Sequence, residues 1–182
     1  MLPICVFGHP VLRKKANEVP ANNPYLQEFI DEMFETMYNA EGVGLAAPQV
    51  GRSWRFFVID THAFKESYPE VEEMKEVFIN PVIEEVLGDD FTFNEGCLSL
   101  PDIREDVVRK SEIILTYTNR EGERKTAHFK GLSARVILHE LDHLEGHVFS
   151  DRISSIRKMI IKKKLNDIAF GKTKPKYKSR NS

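Results

Sequence analysis

The sequence predicts an α+β fold: antiparallel or mixed sheets around one central helix, with an N-terminal helix and a basic C-terminal helix. Three features carry this expectation. Apolar residues recur at helical spacing between Leu26 and Tyr38; four short segments between Arg55 and Lys130 are rich in β-branched and aromatic residues; and a second helical stretch runs from Gly131 to Gly146. No internal repeat interrupts this order.

The 182 residues fit a single domain, with residues 1–170 as its body and 171–182 as a flexible basic tail. A composition of 41% hydrophobic and 30% charged residues supplies a core and excludes disordered and collagen-like chains. No apolar run approaches the roughly 18 residues that cross a bilayer. The opening MLPICVFGHPVLRKKA has no basic segment ahead of its short apolar stretch, so it does not read as a secretion signal, and the cytoplasm is the expected compartment. Cys5 and Cys97 are the only cysteines, too few for a disulfide framework, which leaves single-thiol chemistry.

The first helix is announced by Asn23 as a cap and Pro24 at the first helical position, followed by Leu26, Phe29, Ile30, Met33, Phe34, Met37 and Tyr38 on one face. This stripe reads as core. The next segment, GVGLAAPQVG, holds three glycines and a proline and is expected as an irregular loop whose backbone approaches something closely. RFFVID, EVFINPVIEEVL, SEIILTYTN and ERKTAHFK then read as antiparallel strands, with SYPEVEEMKE as a solvated loop. GLSARVILHELDHLEG begins at a candidate cap, Ser133, and stops at Gly146.

The formal charge of -2 hides an asymmetry. Residues 157–182 carry ten Lys or Arg against one acid, Asp167, whereas the preceding residues carry 16 basic against 27 acidic side chains. Within that arm, Ile156, Met159, Ile160 and Ile168 fall near helical spacing, which predicts an amphipathic helix over about 154–170 with a serine cap. A docked helix with a solubilising tail is preferred over an anionic partner such as RNA, because only Tyr177 interrupts the basic residues of the tail.

The chemistry is concentrated in His139-Glu140-Leu141-Asp142-His143. Residues four apart share a helical face, so both imidazoles can aim at one metal ion, while Glu140 stands beside the first and can take a proton from metal-bound water. That makes the central helix the metal-binding one. A catalytic site of this kind needs a third protein ligand and an open fourth position. A thermolysin-like glutamate is excluded, since none follows Glu145, and the third histidine of a metzincin would fall at Phe149. His147 is four residues past His143, but Gly146 ends the helix before it. Upstream, Cys97 in the short glycine-containing turn EGCLSLP is preferred; Cys5, in an apolar terminal segment, reads as buried and inert.

With Gly42 to Gln49 (GVGLAAPQ), Glu95 to Ser99 (EGCLS) and His139 to His143 (HELDH) complete and in order, the sequence resembles the peptide deformylases, and the likeness extends from HPVLR to the basic C-terminal helix of the longer bacterial form. The resemblance implies hydrolytic removal of the formyl group from the initiator N-formyl-methionine of nascent peptides, with release of formate. It implies that Cys97, His139 and His143 bind one divalent metal, with Fe2+ expected and Zn2+ or Ni2+ as substitutes. Glu140 becomes the general acid/base, and Gln49 with the Leu98 backbone N–H an oxyanion hole. It places substrate contacts at Val43, Gly44, Leu45, Gly96, Arg104, Leu132 and Arg135, and an ion pair between Asp142 and Arg109 rather than Arg104. It implies a ribosome contact through the C-terminal helix, and neither DNA nor membrane as partner. Two departures stand out: Leu138 where relatives carry Gln, and Arg135 where they place an apolar pocket wall, so that Arg135 is expected to snorkel outward with its stem along the pocket. The rival readings are a non-catalytic module closed around a structural zinc and an RNA or ribosome binder with a vestigial site.

Overall fold

The computed structural model describes residues 1–20 and 22–181. The chain opens with β1 (Ile4–Cys5) and reaches helix α1 (Leu26–Asn39). Strands β2 (Gly44–Ala46), β3 (Phe56–Asp60), β4 (Lys75–Cys97), β5 (Leu100–Thr118) and β6 (Arg124–Lys130) follow. Helix α2 (Gly131–Leu144), helix α3 (Ser155–Ala169) and strand β7 (Ser179–Arg180) complete the order. Strands β2 to β6 form one antiparallel sheet in sequence order, whereas β1 pairs in parallel with β7 in a separate two-stranded sheet.

Three apolar clusters divide the interior. The buried face of α1 (Phe29, Ile30, Met33, Met37) packs on Leu45, Val58 and Val77; Ala134, Ile137 and Leu141 of α2 pack on Phe57, Phe78 and Ile113. A third cluster joins α3 to β5 and the turn after α2, through Ile161 and Ile168 against Val107 and Phe149. Helix α2 therefore runs through the interior with nearly every side chain buried. Truncating a wholly buried aromatic such as Phe57 costs about 3–5 kcal/mol.

Several local expectations are revised. Asn23 caps nothing on α1 directly; its Oδ1 accepts from Tyr25 N–H (3.1 Å) ahead of the helix. Ser133 lies inside α2 with its hydroxyl buried and without a partner, and Gly131 starts the helix instead. The α2 terminus does follow the glycine signal: Gly146 has φ 78°, and His147 N–H donates to the Asp142 carbonyl. The presumed loop after α1 contains β2 and a 3-10 turn over Ala47–Val50. Strand β4 absorbs both EVFINPVIEEVL and the segment up to Cys97, continuing through register shifts, one of them at the positive-φ Gly88.

Of the stripe expected on α3, only Ile168 is buried. Ile156, Met159 and Ile160 are exposed, and burial falls on Ile161 and Ile168, with Leu165 between them, because this face meets Val6 and Phe149. Over its described residues the tail is drawn back against the start of the chain. Ser179 and Arg180 pair with Ile4 and Cys5, backbone bonds run from Ile4 N–H to Lys178 O (2.9 Å) and from Val6 N–H to Arg180 O (3.0 Å), and Ser182 lies outside the described residues.

Candidate functional site

Strands β4 and β5 meet at a two-residue turn, Leu98–Ser99, with Cys97 opposite Leu100 at its base. This turn carries the Cys97 sulfur to the face of α2 that presents His139 and His143. One ligand atom from each of Cys97, His139 and His143 lies within 4.8 Å of the others, and Cys97 Sγ is 3.3 Å from His143 Nε2. His139 Nδ1 is engaged by Glu95 Oε2 at 2.8 Å, which leaves Nε2 as the nitrogen facing the cysteine. A thiolate and two imidazoles suit a divalent transition ion, and among the described residues this trio is the group that could hold one. Burial opposes ionisation of Cys97, yet the neighbouring His143 and His139 bring its thiol down to about 5, the state that binds metal.

Glu140 follows His139 on α2 and is 3% exposed; burial pushes its carboxyl up to about 7. Among the described residues its Oε2 has no hydrogen-bond partner, nor has His143 Nδ1. An unpartnered buried carboxylate oxygen is costly unless something polar meets it, so its position beside the cysteine and histidines points to an incoming ligand. Gly44 on β2 makes room for it, since a Cβ there would run into the Glu140 carboxylate.

Gln49 is held in one orientation. Its Oε1 accepts from Ala46 N–H (2.9 Å), which turns Nε2 toward Ser99 Oγ (3.1 Å) and Cys97 Sγ (3.6 Å). The 3-10 turn over Ala47–Val50 sets this geometry, and Gln49 is 1% exposed. Leu98 and Ser99 form the hairpin tip, outside the strand ladder that ends at Cys97 and Leu100.

A cleft of about 560 Å³ opens over these groups. Gly42, Val43, Gly44, Gly96, Leu98 and Arg104 line it together with His139 and Glu140, and Leu98 packs against Gly42. Of the expected substrate contacts, Val43, Gly44, Gly96 and Arg104 line the cleft. Leu45 and Leu132 do not: both are buried, and Leu45 faces the α1 cluster because alternation along β2 turns it away from Gly44. Arg104 lies against Gly96, bonded to Asn94 Oδ1 (3.0 Å).

Arg135 borders the cleft but does not snorkel. It is 2% exposed, donates to Glu95 Oε1 (2.9 Å) and Val107 O (3.0 Å), and lies 5.0 Å from the centre of the Phe91 ring. The cause is Glu95. Buried opposite Glu105 in the β4–β5 register, it draws in Arg109 (2.7 Å), Arg135 and His139, whereas Glu105 is answered by Arg157 (2.7 Å). Burial opposes the charge on Glu95, but His139 and Arg109 hold its carboxyl well below the ordinary value.

Arg109 also reaches Asp142 Oδ2 at 2.7 Å, as expected, and Arg152 binds the same carboxylate from outside (Nε to Oδ2, 2.6 Å). Leu138 packs at the edge of the α2 cluster, and His147 is exposed and off the helix. Sequence reasoning missed Glu95 and Arg152 as partners. Glu95 carried a signal, since it lies two residues before Cys97 and alternation along a strand puts both on one face. Arg152 carried none.

The sequence pattern of the polypeptide deformylase family matches residues 1–159. A peptide deformylase of Christiangramia forsetii is 48% identical over 99% of this chain and 95% of its own length, and one of Flavobacterium johnsoniae is 50% identical over 98% and 94%. Among solved structures, a plant peptide deformylase superposes with a TM-score of 0.84 at 33% identity, covering 94% of this chain and 90% of that one. The Thermotoga maritima peptide deformylase gives 0.76 at 44% identity, covering 85% and 98%. With matches of this extent in both sequence and fold, the chain belongs to the polypeptide deformylase family.

Proposed function

We propose that this protein is a metal-dependent hydrolase that removes the N-formyl group from the initiator methionine of nascent peptides and releases formate. The observation that carries the reading is the unpartnered, buried Glu140 carboxylate that lines a cleft beside the Cys97, His139 and His143 donors. A structural metal site is closed by four protein donors, whereas three converge here among the described residues. Three donors would leave a bound ion with a coordination position for substrate or water.

Cys97, His139 and His143 would hold the ion, with Fe2+ expected and Zn2+ or Ni2+ as substitutes. Such an ion supplies Lewis acidity, which polarises a formyl oxygen and makes water nucleophilic near neutral pH. Glu140 takes a proton from the attacking water as its oxygen adds to the formyl carbon. Gln49 Nε2 and the Leu98 N–H donate to the oxygen that becomes negative, and the Gln49 amide is already oriented by Ala46 N–H before substrate arrives. Glu140 then passes its proton to the peptide nitrogen as the C–N bond breaks, leaving formate and a free amino terminus.

The backbone at Gly42 and Gly44 receives the peptide as an added strand, with Val43, Gly96 and Arg104 along it. The exposed lysines of α3 and the apolar Ile156, Met159 and Ile160 among them support a contact with the ribosome. No helix among the described residues is long and apolar enough to cross a membrane. The test is formate release from a formyl-methionyl peptide by metal-loaded protein and by its Glu140→Ala variant. Metal retained with turnover abolished in the variant supports the reading; equal turnover in both overturns it.

A further inference from the structure

The segment after α3 returns to the cleft. Pro175, Lys176 and Tyr177 line it, and the Tyr177 hydroxyl donates to the Leu98 carbonyl at 2.5 Å. The rest of the segment is anchored independently of that contact. Strand β7 pairs with β1, and Arg180 donates to Val50 O (3.3 Å) in space that Gly51 leaves open, since a Cβ at Gly51 would collide with the guanidinium. Asn181 Nδ2 donates to Ile168 O (2.5 Å), fastening the chain end back to α3. The family pattern stops at residue 159, so this wall lies beyond it.

The Leu98–Ser99 turn is thereby held on both sides. Ser99 O accepts from Phe7 N–H (2.8 Å) and Ser99 Oγ from Gln49, whereas Leu98 O is held by Tyr177. The Leu98 carbonyl and N–H belong to the two peptide planes that meet at the Leu98 Cα, and with Ser99 held on the other side, fixing the carbonyl narrows the range of backbone angles through which the N–H can swing.

We propose that Tyr177 is a positioning residue for deformylation, which aims the Leu98 N–H at the substrate oxygen by holding the Leu98 carbonyl. This rests on the deformylase reading and adds to it a part of the site supplied by the C-terminal segment. Tyr177→Phe removes only the hydroxyl and keeps the ring in the wall, so the fold and the metal are retained. Two measurements on the metal-loaded variant of the whole chain test it: steady-state kinetics with a formyl-methionyl peptide, and amide hydrogen exchange at Phe7, whose N–H is bonded to Ser99 O of the same turn.

In Tyr177→Phe, kcat is expected to fall about tenfold with KM nearly unchanged, a fraction of the loss from deleting an oxyanion donor outright, together with faster exchange at Phe7 and an unaltered metal content. Exchange at the wild-type rate overturns it, as does wild-type kcat with faster exchange. Should the wild-type protein release no formate, the deformylase reading fails, and the exchange rates still decide whether Tyr177 holds the turn.

Discussion

Gly44 and the Glu140 carboxylate claim the same space, so that a single methyl group at position 44 would displace the carboxylate. The glycine is needed for close approach, not for a special backbone angle, because its φ is not among the positive ones. Gly44→Ala is expected to move Glu140 and lower formate release by about 100-fold, the scale of an ångström-sized misplacement. Metal content should stay unchanged, since none of the three ligand donors is touched. Wild-type turnover in this variant would contradict the role given to Glu140.

Gln49 is held by Ala46 N–H so that its Nε2 faces the cysteine turn. Gln49→Ala removes a donor to the developing negative charge and is expected to cost about 10²–10³ in kcat. KM should change little, because the bond matters most once that charge has formed. A rise in KM at unchanged kcat would reassign Gln49 to binding the ground state.

Arg109 bridges two buried carboxylates, Glu95 and Asp142. Arg109→Met leaves both charges short of a partner, a change that costs about 3–5 kcal/mol when a buried pair is broken. Arg135 and Arg152 remain on the same carboxylates, which points to the lower end. Because Glu95 orients His139, metal affinity should also weaken by about 10- to 100-fold. Denaturant unfolding together with metal titration checks both, and unchanged affinity would separate Arg109 from the metal site.

Acid should destabilise the protein through the same pair. Glu95, ordinarily near 4.5, is held down by His139 and Arg109 against the effect of burial, and Asp142, ordinarily near 3.8, by Arg152 and Arg109. A carboxyl with a depressed folded pKa stabilises above its unfolded value and loses that contribution as pH falls through the folded one. Unfolding free energy is therefore expected to drop as pH falls below 4.5. Glu140, raised to about 7 from 4.5, has the opposite sign, but its influence lies above that limb. Stability independent of pH down to about 3 would contradict the assignment.

Long-range periodicity and spacing carried most of the fold and the centre of the site. The stripe from Leu26 to Tyr38 foretold the buried face of α1 except at its last member, since Tyr38 is exposed, and His139 with His143 share a face because four residues make about one helical turn. Pairing across the sheet was less readable. The length of β4 and β5 was missed because charged residues such as Glu105 and Arg109 occupy inward positions and break the apolar pattern, each satisfied by a partner far away in sequence. Arg135 illustrates the same limit: an arginine beside a cleft reads as outward until Glu95 arrives from another strand. The tail looked frayed because its docking rests on backbone pairing, Gly51 and one tyrosine, none of which forms a periodic signal.

The central claim is that one sulfur and two imidazole nitrogens meet at a single ion with a position left for substrate. X-ray absorption at the metal edge of the reconstituted protein measures this directly. One sulfur scatterer is expected, at about 2.3 Å if the ion is zinc, with two imidazole nitrogens and a remaining light-atom donor, the sulfur being lost in Cys97→Ser. A shell without sulfur, or one filled by a fourth protein side chain, would contradict it.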